Sequence, residues 1–257
     1  MTLAVVTLSQ EGAILADRLA QGLPDCRMYF HENVPGKWNG QRFHSVAQLT
    51  GEIFFVHRGL IYVAPCGIAV RSIAPHVTHK TQDPAVVVVD VGGRWAVSLL
   101  SGHEGGANDL AVAVANILSA EPVISTTTEA LKTLIVGIGC RRGVPSARII
   151  KAVKEVLSEH GLDLSQVRLL ASADIKVDEQ GLLTAAREIG APLRFISSAE
   201  LRECARDFQS SDFVKERVNI PAVAEPAALL AGRRTRLLVR KKIYDGVTVA
   251  VAQENCW

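Results

Sequence analysis

The chain has 257 residues, of which 48% are hydrophobic and 21% charged, with 28 Lys+Arg against 26 Asp+Glu. This composition excludes a disordered or collagen-like chain, and at roughly 100 to 200 residues per domain it predicts two domains. The net charge of +2 hides an asymmetry: residues 1–130 hold 8 basic and 11 acidic side chains, and residues 131–257 hold 20 and 15. The second half is therefore the better host for an anionic ligand. No apolar run approaches the roughly 18 to 20 residues that cross a bilayer. The N-terminus MTLAVVTLSQEG has neither a basic leader nor a small-residue cleavage site, so no membrane association and a cytoplasmic location are expected. Five cysteines, Cys26, Cys66, Cys140, Cys204 and Cys256, form no CxxC pair; this argues for reduced thiols and against a structural zinc site.

Leu3 to Leu8 predicts a buried strand, and Gln10 to Leu23 a helix that turns Ala13, Ile14, Ala16, Leu19 and Ala20 to one side. Helical spacing returns in Val46, Leu49, Ile53, Phe54 and His57. A strand over Leu60 to Val63 ends in Pro65-Cys66-Gly67, which reads as a turn. Ala85 to Val89 and Trp95 to Leu99 pair as a hairpin around Val91-Gly92-Gly93. The polar loop Ser101 to Asn108 then leads into a helix over Asp109 to Leu118, and Pro122 to Ile124 closes the first half. Ser125 to Thr128 marks the boundary, giving domains over 1–128 and 129–257.

The second half restarts with a strand over Leu134 to Ile138, a loop through Gly143, and a helix begun near Pro145 with Ile149, Ile150, Val153, Val156 and Leu157 inward. Strand Val167 to Ala171, helix Glu179 to Ile189, strand Leu193 to Ile196 and helix Ala199 to Ala205 alternate. Leu237 to Tyr244 and Val247 to Ala252 make a hairpin through Asp245-Gly246, a type I′ turn. The fold class expected is α/β: two Rossmann-like domains with mainly parallel sheets and a C-terminal β-hairpin.

Ser101-Gly102-His103-Glu104-Gly105-Gly106-Ala107-Asn108 is the segment richest in chemistry. It follows a strand and opens a helix, and ligands of parallel sheets bind beyond the carboxyl ends of the strands. Amides bared by Gly105 and Gly106 would favour a carboxylate or an oxyanion. His103 would hold or move a proton, oriented by Glu104 or Asp109. The plainer alternative is a glycine turn capped by Asn108. Arg71, Lys80 and Asp83 are placed to rim the same cleft, or else to form ordinary surface ion pairs. His76 and His79 lie between two prolines and read as loop histidines, with no third or fourth metal ligand in view.

Gly137-x-Gly139-x-x-x-Gly143 is a poor dinucleotide fingerprint, since its third glycine comes one position late and Arg142 takes its place. Arg141 and Arg142 suit a carboxylated ligand instead. Cys140 reads as a small buried hydrophobe. The basic run Arg233 to Lys242 alternates into a hairpin strand and predicts a solvated edge. Its lack of interleaved aromatics gives nucleic acid no stacking platform.

At these residues the sequence resembles CbiG, the cobalt-precorrin-5A hydrolase family of anaerobic cobalamin synthesis. The resemblance rests on Ala64-x-x-Gly67-Ile68-x-x-Arg71, Lys80-x-x-Asp83-Pro84-Ala85-Val86, Ser101-Gly102-His103-x-Gly105-Gly106-Ala107-Asn108 and Gly137-Ile138-Gly139-Cys140-Arg141-Arg142-Gly143. It continues through Ser172-x-x-x-Lys176-x-x-Glu179-x-Gly181-Leu182, Ser211-x-Phe213-Val214 and Ala224-Glu225-Pro226-Ala227-Ala228. The blocks cover nearly the whole chain in order. A middle segment common in the family is missing, because Thr126-Thr127-Thr128 is joined almost directly to Leu134-Ile135-Val136-Gly137.

The resemblance implies opening of the ring-A δ-lactone of cobalt-precorrin-5A and loss of acetaldehyde to give cobalt-precorrin-5B. His103 would be the base, Gly105 and Gly106 the oxyanion donors, and Glu104 and Asn108 further members of the catalytic set. Arg71, Lys80, Arg141, Arg142 and Lys176 would hold the acidic arms, with Gly67, Asp83, Ser101, Gly139, Glu179 and Glu225 also counted as substrate-binding. Cobalt would arrive inside the corrinoid substrate, so no separate metal or organic cofactor is implied. No nucleic-acid partner is expected, and homodimerisation is left open. The rival readings are a non-catalytic corrinoid carrier and a nicotinamide-dependent oxidoreductase.

Overall fold

The structure, a computed structural model, describes residues 2–204 and 223–254 and divides into two compact units, Met1–Thr126 and Thr127–Trp257. Ala205, the motif residues Ser211, Phe213 and Val214, and Cys256 lie outside the described residues. Among the described residues Cys26, Cys66, Cys140 and Cys204 form no disulfide. No helix among the described residues is long and apolar enough to cross a membrane.

The first unit runs β1 (Leu3–Thr7), α1 (Gln10–Gly22), β2 (Cys26–His31), β3 (Gln41–Phe43), α2 (Val46–Ile53), β4 (Gly59–Val63) and α3 (Cys66–Ile73). It ends with β5 (Ala85–Val89), β6 (Trp95–Leu100), α4 (Ala107–Leu118) and β7 (Glu121–Val123). The sheet order is β3-β2-β1-β4-β5-β6-β7. From β3 to β5 all neighbours are parallel, as in a doubly wound sheet, whereas β6 is antiparallel to β5 and β7 follows β6. β1, β4 and β5 are buried along their whole length, so they read as continuous apolar runs rather than alternating ones.

Helix α1 starts where Ser9 accepts a hydrogen bond from the Gly12 amide, a side-chain N-cap. Its inner face is Gly12, Ala13, Ala16 and Leu19. Ile14, 52% exposed, and Ala20 turn outward, contrary to the expectation. Each follows an inward residue directly, and one step along a helix rotates by about 100°. The segment Pro65-Cys66-Gly67, expected to be a turn, opens α3; proline is as welcome just before a helix as in a turn, so the residues alone do not separate the two.

A buried histidine ties the start of this sheet together. His57 Nδ1 lies 2.7 Å from Thr2 Oγ1 and Nε2 lies 3.0 Å from the Tyr29 hydroxyl, and the residue is 2% exposed. Burial, with Arg27 adding to it and the Thr2 contact opposing it, holds its pKa below the usual histidine value. A depressed folded-state pKa means the neutral ring is preferred in the fold, so its stabilisation is complete above the ordinary histidine pKa and is lost as pH falls through the depressed one. Thermal melting between pH 7.5 and 5 should show a fall in stability that is smaller in His57→Gln; parallel pH profiles in the two proteins would remove this role.

The second unit runs α5 (Thr127–Ala130), β8 (Leu134–Cys140), α6 (Ser146–Glu159), β9 (Val167–Ala173), α7 (Gln180–Ile189), β10 (Leu193–Ile196) and α8 (Ser198–Cys204). After the undescribed stretch come α9 (Ala224–Leu230), β11 (Thr235–Tyr244) and β12 (Val247–Glu254). The order β10-β9-β8-β12-β11 joins three parallel strands to an antiparallel hairpin. Asp245 and Gly246 have φ of 41° and 82°, the type I′ geometry that the Asp-Gly pair predicts. Helices α6 and α7 pack with one side of the sheet, and α8 and α9 join the second apolar cluster. β11 is the edge strand, exposing Arg236, Arg240 and Lys242, as its charge pattern predicts.

Candidate functional site

The Ser101–Asn108 loop follows the carboxyl end of β6, but β6 runs against β5 and pairs Leu100 with Val86. The loop therefore stands at the end of the sheet where β1, β4 and β5 begin. This overturns the premise that it lies beyond the carboxyl ends of the parallel strands. Gly67 instead opens α3 at the carboxyl end of β4, so Gly67 and His103 occupy opposite ends of the sheet. Arg71 turns back along α3 and donates from Nη1 to the Gly67 carbonyl at 3.1 Å. Of the groups expected to rim one cleft with His103, Lys80 does meet this loop: its Nζ lies 2.6 Å from Glu104 Oε1.

Within the loop most polar groups hold one another. The Ser101 carbonyl accepts from the Gly105 and Ala107 amides at 3.1 Å each, and the Gly102 carbonyl from the Asn108 amide at 3.0 Å. The start of α4 is thus covered by loop carbonyls, and the Gly105 amide, expected as an oxyanion donor, is already committed. A Cβ at Gly105 would come within 2.4 Å of Ser101 Cβ, so only glycine fits. Ser101 itself has φ of 57° and is buried, its Oγ meeting no partner among the described residues. A left-handed non-glycine residue costs about 1 to 2 kcal/mol, so the surrounding loop must fix this conformation.

Two polar residues assigned to the site are internal to the protein. Asn108 is buried; its Oδ1 accepts from Ser98 Oγ at 2.8 Å and its Nδ2 donates to Thr126 Oγ1 at 3.0 Å. These bonds position the loop. Asp83, 3% exposed, accepts from the Thr78 amide at 3.0 Å and the Thr78 hydroxyl at 2.8 Å. Burial pushes its pKa up, but the Thr78 and His79 donors outweigh that and leave it below the ordinary carboxylate value. Its place is to fold the 78–83 turn that presents Lys80. Thr78, Ser98 and Thr126 carried no signal in the sequence, because a hydroxyl serves equally on a surface. His103 is exposed, and the pKa of Glu104 beside it is lowered, chiefly by the Lys80 hydrogen bond.

In the second unit the loops after β8, β9 and β10 share the carboxyl end of the sheet, where ligands of such sheets bind. Ser172 donates from Oγ to the Ile138 carbonyl at 2.8 Å, stapling β9 to β8 just below the loops. Glu179 is buried; Oε1 accepts from the Gly143 amide at 2.9 Å, and Oε2 lies 3.6 Å from Lys176 Nζ. Glu179 thus holds the 140–143 loop in place and uses Lys176 as its counter-ion. Cys140 is half-buried, and burial pushes its thiol pKa up, with Lys176 opposing and Glu179 adding to the rise. Arg142 Nη1 meets Asp178 Oδ2 at 3.1 Å with both side chains mostly exposed, a pair worth little in water. The Arg141 amide donates to the Gly246 carbonyl at 3.1 Å, and its guanidinium has no acidic partner among the described residues.

Glu225, assigned to substrate binding, is fully buried on α9 and accepts the Lys241 amide at 3.0 Å. The strand β11 is bulged between Val239 and Lys242. A bulge leaves a residue out of the ladder, and the Glu225 carboxylate takes up the Lys241 amide there. Its Oε1 thus holds the bulge, while Oε2 is buried without a hydrogen-bond partner among the described residues.

Two sheets clothed by helices, one carrying a histidine loop and the other a basic rim at strand ends, define a two-unit member of the doubly wound α/β class. The model of the cobalamin synthesis G N-terminal family matches residues 48–129, and that of the cobalamin synthesis G C-terminus matches residues 134–252. The chain belongs to the cobalamin synthesis G family, and its role lies in cobalamin biosynthesis. It is 27% identical to a cobalt-precorrin-5A hydrolase of Priestia megaterium, covering 97% of this chain and 94% of that one. It is 26% identical to the protein of that name from Salmonella typhimurium, covering 97% of each. Protein CobE of a Sinorhizobium species is 34% identical over 49% of this chain and 83% of its own length. The first two alignments extend over 353 and 342 positions against 257 residues here, so those relatives carry a long stretch without a counterpart in this chain. The two family segments leave only residues 130–133 between them.

Proposed function

We propose that the protein hydrolyses the ring-A δ-lactone of cobalt-precorrin-5A and releases acetaldehyde to give cobalt-precorrin-5B. The observation that carries this reading is the match to two hydrolases of that name over 97% of the chain, with both motif-bearing units present. Water adds to the lactone carbonyl while a base removes its proton, and collapse of the adduct frees a carboxylate and a hydroxyethyl group. The hydroxyl proton then leaves as the carbon–carbon bond to the ring breaks, the electron pair passing into the conjugated macrocycle and acetaldehyde departing. His103 is our base for both proton removals, since its imidazole stands exposed at the tip of a loop whose other groups are fixed. The Gly106 amide is our donor to the carbonyl oxygen. Lys80, which reaches Glu104 of the same loop, is our candidate for holding an acidic arm. Cobalt enters with the substrate, and these steps draw on no separate cofactor.

A second reading, a corrinoid carrier without catalysis, is motivated by the long stretch of the two hydrolases that has no counterpart in this chain. Anaerobic incubation with cobalt-precorrin-5A, with the aldehyde trapped as its hydrazone, separates them. Stoichiometric acetaldehyde is the expected result; tight binding with none released would establish the carrier and end the hydrolase reading.

A further inference from the structure

Two penalties fall on Ser101. Its φ of 57° is a left-handed conformation that a residue with a Cβ adopts only under strain, and its hydroxyl is buried with no hydrogen-bond partner among the described residues. Glycine would relieve the first and alanine the second, so the free protein gains nothing from a serine here. Strain and an unmet polar group on one residue, where a strand gives way to a loop, point to a use that the free fold does not show.

Gly105 is what hides the hydroxyl. A Cβ there would stand 2.4 Å from Ser101 Cβ and 3.0 Å from the Ser101 carbonyl oxygen, so the Gly105 backbone lies directly on the serine. The Gly105 amide donates to that same carbonyl at 3.1 Å. Beyond it the packing stops: Gly106 has φ of 81°, and a Cβ there would meet nothing within 4 Å. The Gly105-Gly106 pair therefore has both the conformational freedom and the room to swing off Ser101. The start of α4 need not follow, because the Ala107 amide stays on the Ser101 carbonyl and the Asn108 amide on the Gly102 carbonyl. On the other side Glu104 is held by Lys80 in an exposed ion pair, a weak restraint.

We propose that Gly105-Gly106 is a flap over Ser101 and that, with the flap lifted, the Ser101 hydroxyl donates a hydrogen bond to the lactone carbonyl oxygen. This assignment rests on the proposed function, which supplies that oxygen. Ser101 and the Gly106 amide then form a pair of donors where negative charge develops. The hydroxyl keeps its own proton; the one lost by the attacking water goes to His103, two residues further along the same loop of the same unit.

Ser101→Ala removes the hydroxyl and keeps the backbone strain, whereas Ser101→Gly removes both. Thermal melting and acetaldehyde release from cobalt-precorrin-5A are measured on wild type and both variants. Ser101→Ala should melt no lower than wild type and Ser101→Gly higher, while kcat falls about a hundredfold in each and KM changes far less. In the free protein, amide exchange followed by NMR should be about tenfold or more faster at Gly105 than at Ala107, which donates to the same carbonyl. Wild-type kcat in either variant, with wild type active, would overturn the role of the hydroxyl and leave the hydrolase reading standing. Ser101→Ala melting below wild type would also overturn it, since the hydroxyl would then have a partner in the free fold. Equal protection of the Gly105 and Ala107 amides would overturn the flap. Wild type that releases no acetaldehyde would overturn the hydrolase reading and this assignment together.

Discussion

His103→Ala is expected to lower the rate of acetaldehyde release by about a hundredfold or more and to leave the melting temperature where it was. The second half of that expectation comes from the loop's construction. The imidazole is exposed, while the loop is held by the Ser101 and Gly102 carbonyls over the start of α4 and by Asn108 between Ser98 and Thr126. Removing the ring breaks none of these bonds. Loss of turnover with an unchanged fold would therefore report the proton removal itself. Glu104→Gln should do less: it removes the carboxylate that Lys80 holds ionised beside the imidazole, but it leaves the base in place. Stopped assays at saturating substrate give kcat for each variant, and His103→Ala turning over at the wild-type rate would remove His103 from the mechanism.

The parts of the fold that were legible in the sequence are those set by local pattern. β1, β4 and β5 are buried runs such as AVVVV, and the Asp245-Gly246 turn announces its hairpin. β2, with the sequence CRMYFH, mixes charge and aromatics; β3 has three residues; α9 carries Pro226 in its first turn, where proline is tolerated. These elements are fixed by what they pack against. The candidate loop was legible as chemistry but not as location. Its end of the sheet follows from the reversal at Val91-Gly92-Gly93, which turns β6 against β5 and carries Ser101 back to where the parallel strands start. The resemblance counted Asp83, Asn108 and Glu225 with the site, and nothing in the local pattern marked them as buried. Their burial depends on Thr78, Thr126 and Lys241, partners that only the folded chain brings to them.

Gly137→Ala should destabilise the second unit by about 3 kcal/mol or more, whereas Gly139→Ala should change its stability by less than about 0.5 kcal/mol. A Cβ at position 137 would stand 1.8 Å from the Ala224 carbonyl oxygen, 2.8 Å from its carbon and 2.9 Å from Ala228 Cβ. The first two are backbone atoms of α9 and cannot rotate aside, so the helix must lift from β8. Lifting it opens the cluster that Ala227 and Ala228 complete with Ile135, Leu169 and Ala171, and pulls Glu225 from the Lys241 amide. At position 139 a Cβ would meet its nearest neighbours, Thr248 Cβ and Val223 Cβ, at 3.7 Å, an ordinary contact. The two glycines look alike as Gly-x-Gly and suggest a phosphate loop, yet the first is required by a helix lying directly on its strand. Urea unfolding of both variants decides the matter. A Gly137→Ala midpoint equal to wild type would mean that α9 does not lie on β8 at this distance, while a collapse of both midpoints would return the pair to a shared role in the loop.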